Sequence, residues 1–497
     1  MDGKQARSCQ QICDRLFECP PPASSFAFSA RIRAIHGIAT TLQGIDVLRQ
    51  TRALLMVTAQ SLKTPPKLIR ILKIRVMDKP GYLGKMATTI GELGGNIGEI
   101  SIANQGPDYL TREVSLQLKD EKHLSDVLDG LTHLEGIKVE SVTDPVQAVH
   151  EGGKISMKSR VRLDSLAAMG KVYTPGVAQI CRLIERDSSM SRQFTSIPNT
   201  VAVVTNGTAI LGLGNIGPVA GMPVMEGKAV IFEQMVGISA IPILIDSTET
   251  SVVVETVKRI APTFGAIQLE DIAAPQCFEI EHQLQSDLSI PVLHDDQHAT
   301  AVVVLGVLLT IAKRIDLKLS ACRVGVIGLG AAGFGISRLL MAFGVKELVG
   351  TDIRPDAIER FESLGGRASD LQGVMGLADV VIATTGVPGL IKPEYVRQGQ
   401  TLLALSNPDP EIDPDLAKSN GARFAADGRT INNALAFPGL FKGALNAGAT
   451  RFTDVMQIAA AVAIAGQTKA DNLVPSILDP EAHAAVASAV AFAWQSS

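Results

Sequence analysis

The stretch CRVGVIGLGAAGFGISRLL (322–340) decides the fold. An apolar strand runs into Gly328-x-Gly330-x-x-Gly333, and a helix begins near Ala331. That context is what a dinucleotide fingerprint requires. The glycines allow the tight turn, the close approach of backbone to a pyrophosphate and the close helix–strand packing. Ala331 and Ala332 then stand where the first helical N–H groups face an anion. The next strand, ELVGT (347–351), ends at Asp352. A carboxylate there accepts the ribose hydroxyls of NAD and repels a 2′-phosphate. Arg354 lies close enough either to accommodate that phosphate or to pair with Asp352.

Downstream, ADVVIA (378–383), TLLALSN (401–407) and ARFAAD (422–427) alternate with helical segments. The alternation predicts a doubly wound parallel sheet over 313–497. Asn407 and Asn433 fall in loops at the carboxyl ends of its strands, facing the cofactor crevice.

Upstream, the residues 150–312 carry groups suited to chemistry. IQLEDIAAP (267–275) places Glu270 and Asp271 at the end of a short apolar strand, and IPVLHDDQHAT (290–300) does the same for Asp295 and Asp296. Four carboxylates brought together repel unless a cation neutralises them, and all-oxygen ligation suits Mg²⁺ or Mn²⁺. His294 and His298 are read as polar neighbours rather than ligands. PVMEGKAVIF (223–232) sets Lys228 against apolar residues, where loss of hydration is expected to lower its pKa. The loop TNGTAILGLGNIG (205–217) has glycines at 207, 212, 214 and 217, a pattern for positive φ and close backbone approach. YTPGVAQICRLIERD (173–187) predicts a turn into a helix with Val177, Ile180, Cys181 and Ile184 on one face.

Residues 68–142 predict a separate unit. LIRILKIRVM, a helix closed by Gly94-Gly95-Asn96, IGEISIA, LTREVSLQLK, a second helix and IKVESV give the order βαββαβ, a ferredoxin-like split-βαβ unit. The pattern DKPG-x-L-G, a helix and then GGNI resembles an ACT domain. The resemblance implies a small regulatory module, with an amino acid or other small effector at the turn after the first strand. Residues 1–65, with Pro20-Pro21-Pro22 and Cys9, Cys13 and Cys19, read as a poorly defined arm.

Composition narrows the function class. The 497 residues carry 46 basic and 50 acidic side chains, and 46% are apolar. No long single-sign block exists to attract nucleic acid or an anionic membrane. The longest uncharged apolar-rich run near the middle of the chain, Ala299 to Ala312, is shorter than the ~20 residues of a membrane span. The six cysteines lack zinc spacing, and no apolar leader opens the chain, so a reduced cytoplasmic protein is expected.

From about His150 onward the motifs YTPGVA, LGLGNIG, PVMEGKA, LED-x-x-AP, HDDQH, GLGAAG, SNP-x-PEI and NNALAFPG occur in one order. In that order they resemble the short bacterial malic enzymes, which are NAD(P)-dependent and decarboxylate malate to pyruvate. The resemblance implies an ACT-like domain over 66–146, a catalytic α/β domain over 150–312 and a Rossmann domain over 313–497. It further implies Tyr173 as general acid, Lys228 as general base and Asp295 as its helper. Glu270, Asp271 and Asp296 would hold Mg²⁺ or Mn²⁺. Gly328, Gly330, Ala331, Ala332, Gly333 and Asp352 would cradle NAD, with NADP also possible. Asn407 and Asn433 would contact substrate or nicotinamide, and relatives form dimers or larger homo-oligomers. The chain departs from the family at Ala299, where glycine is usual, and at ADGRTINN (426–433), which is shorter than the family loop. Two other readings stay open at this stage: a non-decarboxylating hydroxy-acid or amino-acid dehydrogenase, and an inactive NAD-binding sensor.

Overall fold

The computed structural model describes residues 68–429, 431–469 and 472–497; the arm 1–65 and Cys9, Cys13 and Cys19 lie outside them. The described chain divides into two compact units, 68–154 and 155–497.

The first unit has the expected order: β1 (Leu68–Met77), α1 (Tyr82–Glu92), β2 (Asn96–Gln105), β3 (Tyr109–Leu118), α2 (Glu121–Thr132) and β4 (Ile137–Thr143). The antiparallel sheet runs β2-β3-β1-β4. Leu72, Ile74 and Val76 alternate inward along β1 and pack with Met86 and Ile90 of α1 and with Val127 and Leu131 of α2. Period-2 and period-3.6 apolar patterns thus meet in one layer. Gly94 ends α1 at φ +86°, as glycine at a helix C-terminus does. Asp120 caps α2 by accepting the His123 N–H at 2.8 Å.

The second unit opens with α3 (Leu166–Val172) and α4 (Val177–Arg186). Val177, Ile180 and Ile184 are half-buried on α4, whereas Cys181, expected on the same face, is exposed. A parallel sheet follows in the order β6-β5-β7-β8, from β5 (Thr200–Thr205), β6 (Ser239–Leu244), β7 (Ala266–Leu269) and β8 (Val292–His294). Helices α5 (Pro218–Val236) and α6 (Gln276–Asp287) belong to this part. The chain then enters α7 (Asp295–Ile315), which is buried along most of its length. The uncharged run 299–312 is therefore only the middle of a longer helix, whose charged ends Asp295-Asp296 and Lys313-Arg314 are helical too. Its length and apolarity would suffice to cross a membrane, but 67% of its most apolar window is buried inside this unit.

The second sheet is parallel, in the order β11-β10-β9-β12-β13-β14. Its strands are β9 (Arg323–Ile327), β10 (Glu347–Thr351), β11 (Arg367–Ala368), β12 (Val380–Ala383), β13 (Thr401–Ala404) and β14 (Phe424–Asp427). The sequence pattern did not signal β11, which has only two residues. Val380 and Ile382 face one apolar cluster while Val381 and Ala383 face another, so the sheet is covered on both sides. Helix α8 (Ala331–Phe343) follows β9, and α9 (Phe437–Ala447), α10 (Asp454–Gly466) and α11 (Pro480–Gln495) close the chain.

Glycine sets how closely α9 and α11 approach. A Cβ built on Gly443 would stand 2.5 Å from the Ala487 carbonyl oxygen and 2.6 Å from Val490 Cβ. Gly466, at the end of α10, has open space around it. Gly443→Ala is expected to lower the melting temperature by several degrees, reflecting an overpacking cost of about 1–3 kcal/mol. Gly466→Ala should leave it unchanged or raise it slightly, since alanine favours helix over glycine by ~1 kcal/mol. Thermal unfolding of both variants beside the wild type measures the contrast.

Candidate active site

Strands β7 and β8 are hydrogen-bonded neighbours, so their carboxyl ends lie side by side. β7 delivers Glu270 and Asp271, and β8 delivers Asp295 and Asp296 into the first turn of α7. Acids at the first turn of a long helix are favoured by its dipole. One carboxylate oxygen each from Glu270, Asp295 and Asp296 lie within 4.8 Å of one another. Asp271 stands beside them in a left-handed conformation, φ +53°. Its carbonyl accepts the Ala209 N–H at 3.0 Å, which ties it to the glycine loop. In that loop Gly207, Gly212, Gly214 and Gly217 all have positive φ, as their spacing predicts.

Lys228 projects from α5 into this cluster. Its Nζ is 2.9 Å from Glu270 Oε1 and makes a shorter ion pair with Asp295. The Phe437 ring lies beneath the ammonium, 4.6 Å from Nζ to ring centre, a cation–π contact. Asn433 Nδ2 donates to Asp295 Oδ2 at 2.6 Å, so the shortened 426–433 loop still reaches the cluster. Gln268 Nε2 donates to Glu270 Oε2 at 2.6 Å.

The electrostatics correct one expectation. Burial does push the Lys228 pKa down, but Asp295 and then Glu270 outweigh it, holding the ammonium above the ordinary lysine value. Burial raises Glu270 and Asp295. Asp271 is pushed up to about 7, first by burial and then by the Asp296 charge. Asp271 Oδ2 and Asp295 Oδ1 are buried and have no hydrogen-bond partner among the described residues. Four acids against one lysine, with two orphaned oxygens, fit a hard divalent cation.

The remaining expected residues stand elsewhere. Tyr173 ends α3 and is 67% exposed. Asn407 follows β13 and donates to the Gly428 carbonyl at 3.5 Å. Gly328, Gly330 and Asp352 line a cavity of about 410 Å³ together with Ile353, Arg354 and Thr385. The cavity opens where the strand order reverses between β9 and β12. A Cβ on Gly333 would meet the Gly328 carbonyl oxygen at 1.9 Å, so only glycine lets α8 start there. Asp352 accepts the Leu329 N–H at 2.6 Å and the Arg354 N–H at 2.9 Å, and Arg354 Nε lies 3.6 Å from its carboxylate.

Sequence reasoning missed Phe437, Gln268 and Glu281. Phe437 and Gln268 carry no pattern of their own. Glu281 does carry one, because it shares the helical stripe Cys277, Glu281, Leu284 and puts an acid where the core is expected.

A family model for the malic enzyme N-terminal domain matches residues 153–253 and 247–285, and one for the ACT domain matches 71–140. NAD-dependent malic enzyme 1 of Bacillus subtilis is 53% identical over 425 residues, 85% of this chain and 97% of that protein. The NAD-dependent malic enzyme of Geobacillus stearothermophilus is 41% identical over 420 residues, 80% of this chain and 87% of that protein. Among solved structures, a malic enzyme from Pyrococcus horikoshii superposes with a TM-score of 0.66 at 42% identity, covering 69% of this chain and 87% of that one.

The raised carboxyls give the cluster a pH signature. Below the Asp271 value of about 7 this carboxyl carries a proton that a cation bound through it would have to displace. Mn²⁺ affinity is therefore expected to rise with pH up to about 7 and then level off. The slope below that point should approach tenfold per pH unit for one displaced proton. Electron paramagnetic resonance of free Mn²⁺ between pH 5.5 and 8 reads this directly; a flat profile would remove these carboxyls from the ligand set.

Proposed function

The chain belongs to the malic enzyme family, and from that premise we propose that it oxidises malate and decarboxylates it to pyruvate and carbon dioxide, using NAD and Mg²⁺ or Mn²⁺. The observation that carries this reading is the buried Lys228, bracketed by Glu270 and Asp295 and facing Asp296. A non-decarboxylating dehydrogenase has no need of the remaining acids.

Glu270, Asp271 and Asp296 would hold the cation, which when bound would supply Lewis acidity to the bound malate, and the coenzyme would be the hydride acceptor. With the Glu270 charge turned to a cation, the Lys228 ammonium would release its proton to solvent more readily, and the neutral Nζ would then take the proton of the C2 hydroxyl. Asp295 stays on Lys228 as its partner, and Asn433 holds Asp295 in place. Phe437 beneath Nζ excludes water from the same point. Tyr173 returns a proton to C3 after the C4 carboxylate leaves. Gly328, Gly330, Ala331, Ala332 and Gly333 would cradle the NAD diphosphate, and Asn407 would meet the nicotinamide or the substrate.

Residues 66–146 serve regulation through a small effector, 150–312 the chemistry and 313–497 the coenzyme. Met157, Leu166, Leu211, Leu213 and Val219 are exposed on the second unit, as is Tyr173. These exposed apolar side chains support a homo-oligomer in which a second copy covers some of them. Cys181, Cys277 and Cys322 are free thiols, which suits the reducing cytoplasm.

Malate turnover with NAD and Mn²⁺, followed as NADH formation with pyruvate assayed separately, tests the reading. A chelator should abolish both products, and Asp296→Asn should lose activity and Mn²⁺ dependence together. NADH without pyruvate, or full turnover under chelator, would favour a metal-independent dehydrogenase.

Coenzyme choice is a second test. Asp352 at the ribose position favours NAD despite Arg354 beside it, because Asp352 engages that arginine. The kcat/KM ratio of NAD to NADP should exceed one in the wild type and fall at least tenfold, about 1.4 kcal/mol, in Asp352→Ser. An unchanged ratio would show that Asp352 does not read the ribose.

A further inference from the structure

The acid pair Asp295–Asp296 opens α7, yet no side chain caps that helix from its own N-cap residue, His294. The acceptor comes from another helix. Glu281 on α6 is 6% exposed, and its carboxylate accepts the His294 backbone N–H at 2.7 Å and the Gln297 Nε2 at 3.1 Å. His298 Nε2 lies 2.9 Å from the same carboxylate. These three partners flank the acid pair on both sides.

His298 is held in turn by Arg338 of α8, whose Nη2 is 3.0 Å from His298 Nδ1. A guanidinium has only donors, so Nδ1 must accept and Nε2 must carry the hydrogen it gives to Glu281. The chain of bonds therefore runs one way, Arg338 to His298 to Glu281, and the buried carboxylate is balanced by a guanidinium one ring away. The room is tight as well: a Cβ on Gly335 of α8 would stand 2.3 Å from the Gln297 carbonyl oxygen. The first turn of α7 is thus wedged between α6 and α8.

We propose that Glu281 is a positioning residue for Asp295 and Asp296, with Arg338 balancing its charge through His298, and that this relay sets the affinity of the acid cluster for a divalent cation. The inference rests on the reading that Asp296 holds the metal. Glu281 touches neither Lys228 nor the cluster oxygens and acts through the backbone and through residues 297 and 298.

The test is Mn²⁺ binding by the full chain, measured by electron paramagnetic resonance, beside NADH binding measured by fluorescence. Glu281→Gln should weaken Mn²⁺ by about 10–100-fold, the usual cost of removing a group that orients ligands. NADH binding should stay within about twofold of wild type. Arg338→Gln should weaken Mn²⁺ in the same direction, and Arg338→Lys should recover part of the loss. Asp454, 3.4 Å from Arg338, is its partner outside the relay, so Asp454→Asn should bind Mn²⁺ as the wild type does. Should Glu281→Gln fail to fold, the Arg338 and Asp454 variants decide alone. Unchanged Mn²⁺ affinity in Arg338→Gln overturns the proposal. So does an equal loss in Asp454→Asn, or NADH binding that falls in step with Mn²⁺. Asp296→Asn separates the two readings: if it binds Mn²⁺ normally, the assignment of the metal fails, whereas its loss beside normal Glu281 and Arg338 variants sinks the relay alone.

Discussion

An excess of buried negative charge governs the catalytic unit. Glu270, Asp271, Asp295 and Asp296 converge at the ends of two adjacent strands, and one lysine reaches them. Carboxylates this close cannot all ionise without a countercharge. The raised values of Glu270, Asp271 and Asp295 are the energetic record of that conflict. A protein keeps such an arrangement where its function makes use of it, because apolar residues of similar volume would be more stable. The same imbalance explains why Lys228 is both buried and strongly protonated. Its proton is held first by Asp295 and then by Glu270, and on the proposed reading only the second of these charges would be shared with a cation.

The surrounding fold keeps that balance geometrically fixed. β7 and β8 are short and wholly buried, and they fix the strand ends to which the acids attach. α7 begins with two of the acids and continues as the central apolar helix packed against α8 and α10. Asn433 and Phe437 come from the far end of the chain and close over Lys228. The acid cluster therefore joins groups distant in sequence, and no single element could be moved without shifting an oxygen in it.

This explains which parts were readable from sequence. The βαββαβ elements of the first unit were legible almost to the residue, because Leu72, Ile74, Val76 and Met86, Ile90 carry clean periods, whereas the short helix Pro145–His150 after them was not read. The dinucleotide loop was legible because glycine is required at Gly328 and Gly333 by backbone geometry alone. The acids and Lys228 were conspicuous because charge beside apolar runs is costly. What sequence did not show is the sign of the Lys228 shift, which depends on through-space distances to Asp295 and Glu270. Glu281 was overlooked for a related reason. An acid on an amphipathic helix looks ordinary until the stripe it shares with Cys277 and Leu284 is found to face inward.

Asp352 shows how one residue can carry two constraints. Its carboxylate lines the cavity proposed for the ribose, and it is engaged by the Leu329 N–H inside the glycine loop and by the Arg354 N–H beyond it. A group so held points at the ligand with little conformational freedom left to lose on binding. The same hydrogen bonds secure the turn between Gly328 and Gly330, the place where the diphosphate must approach the backbone. Selectivity at the ribose and the shape of the phosphate loop are therefore not independent. Arg354, lying 3.6 Å from the carboxylate, adds a third party, because any charge it spends on Asp352 is withheld from a 2′-phosphate. On the proposed reading, coenzyme preference in this chain would follow from that competition, rather than from the acid at the end of β10 taken alone.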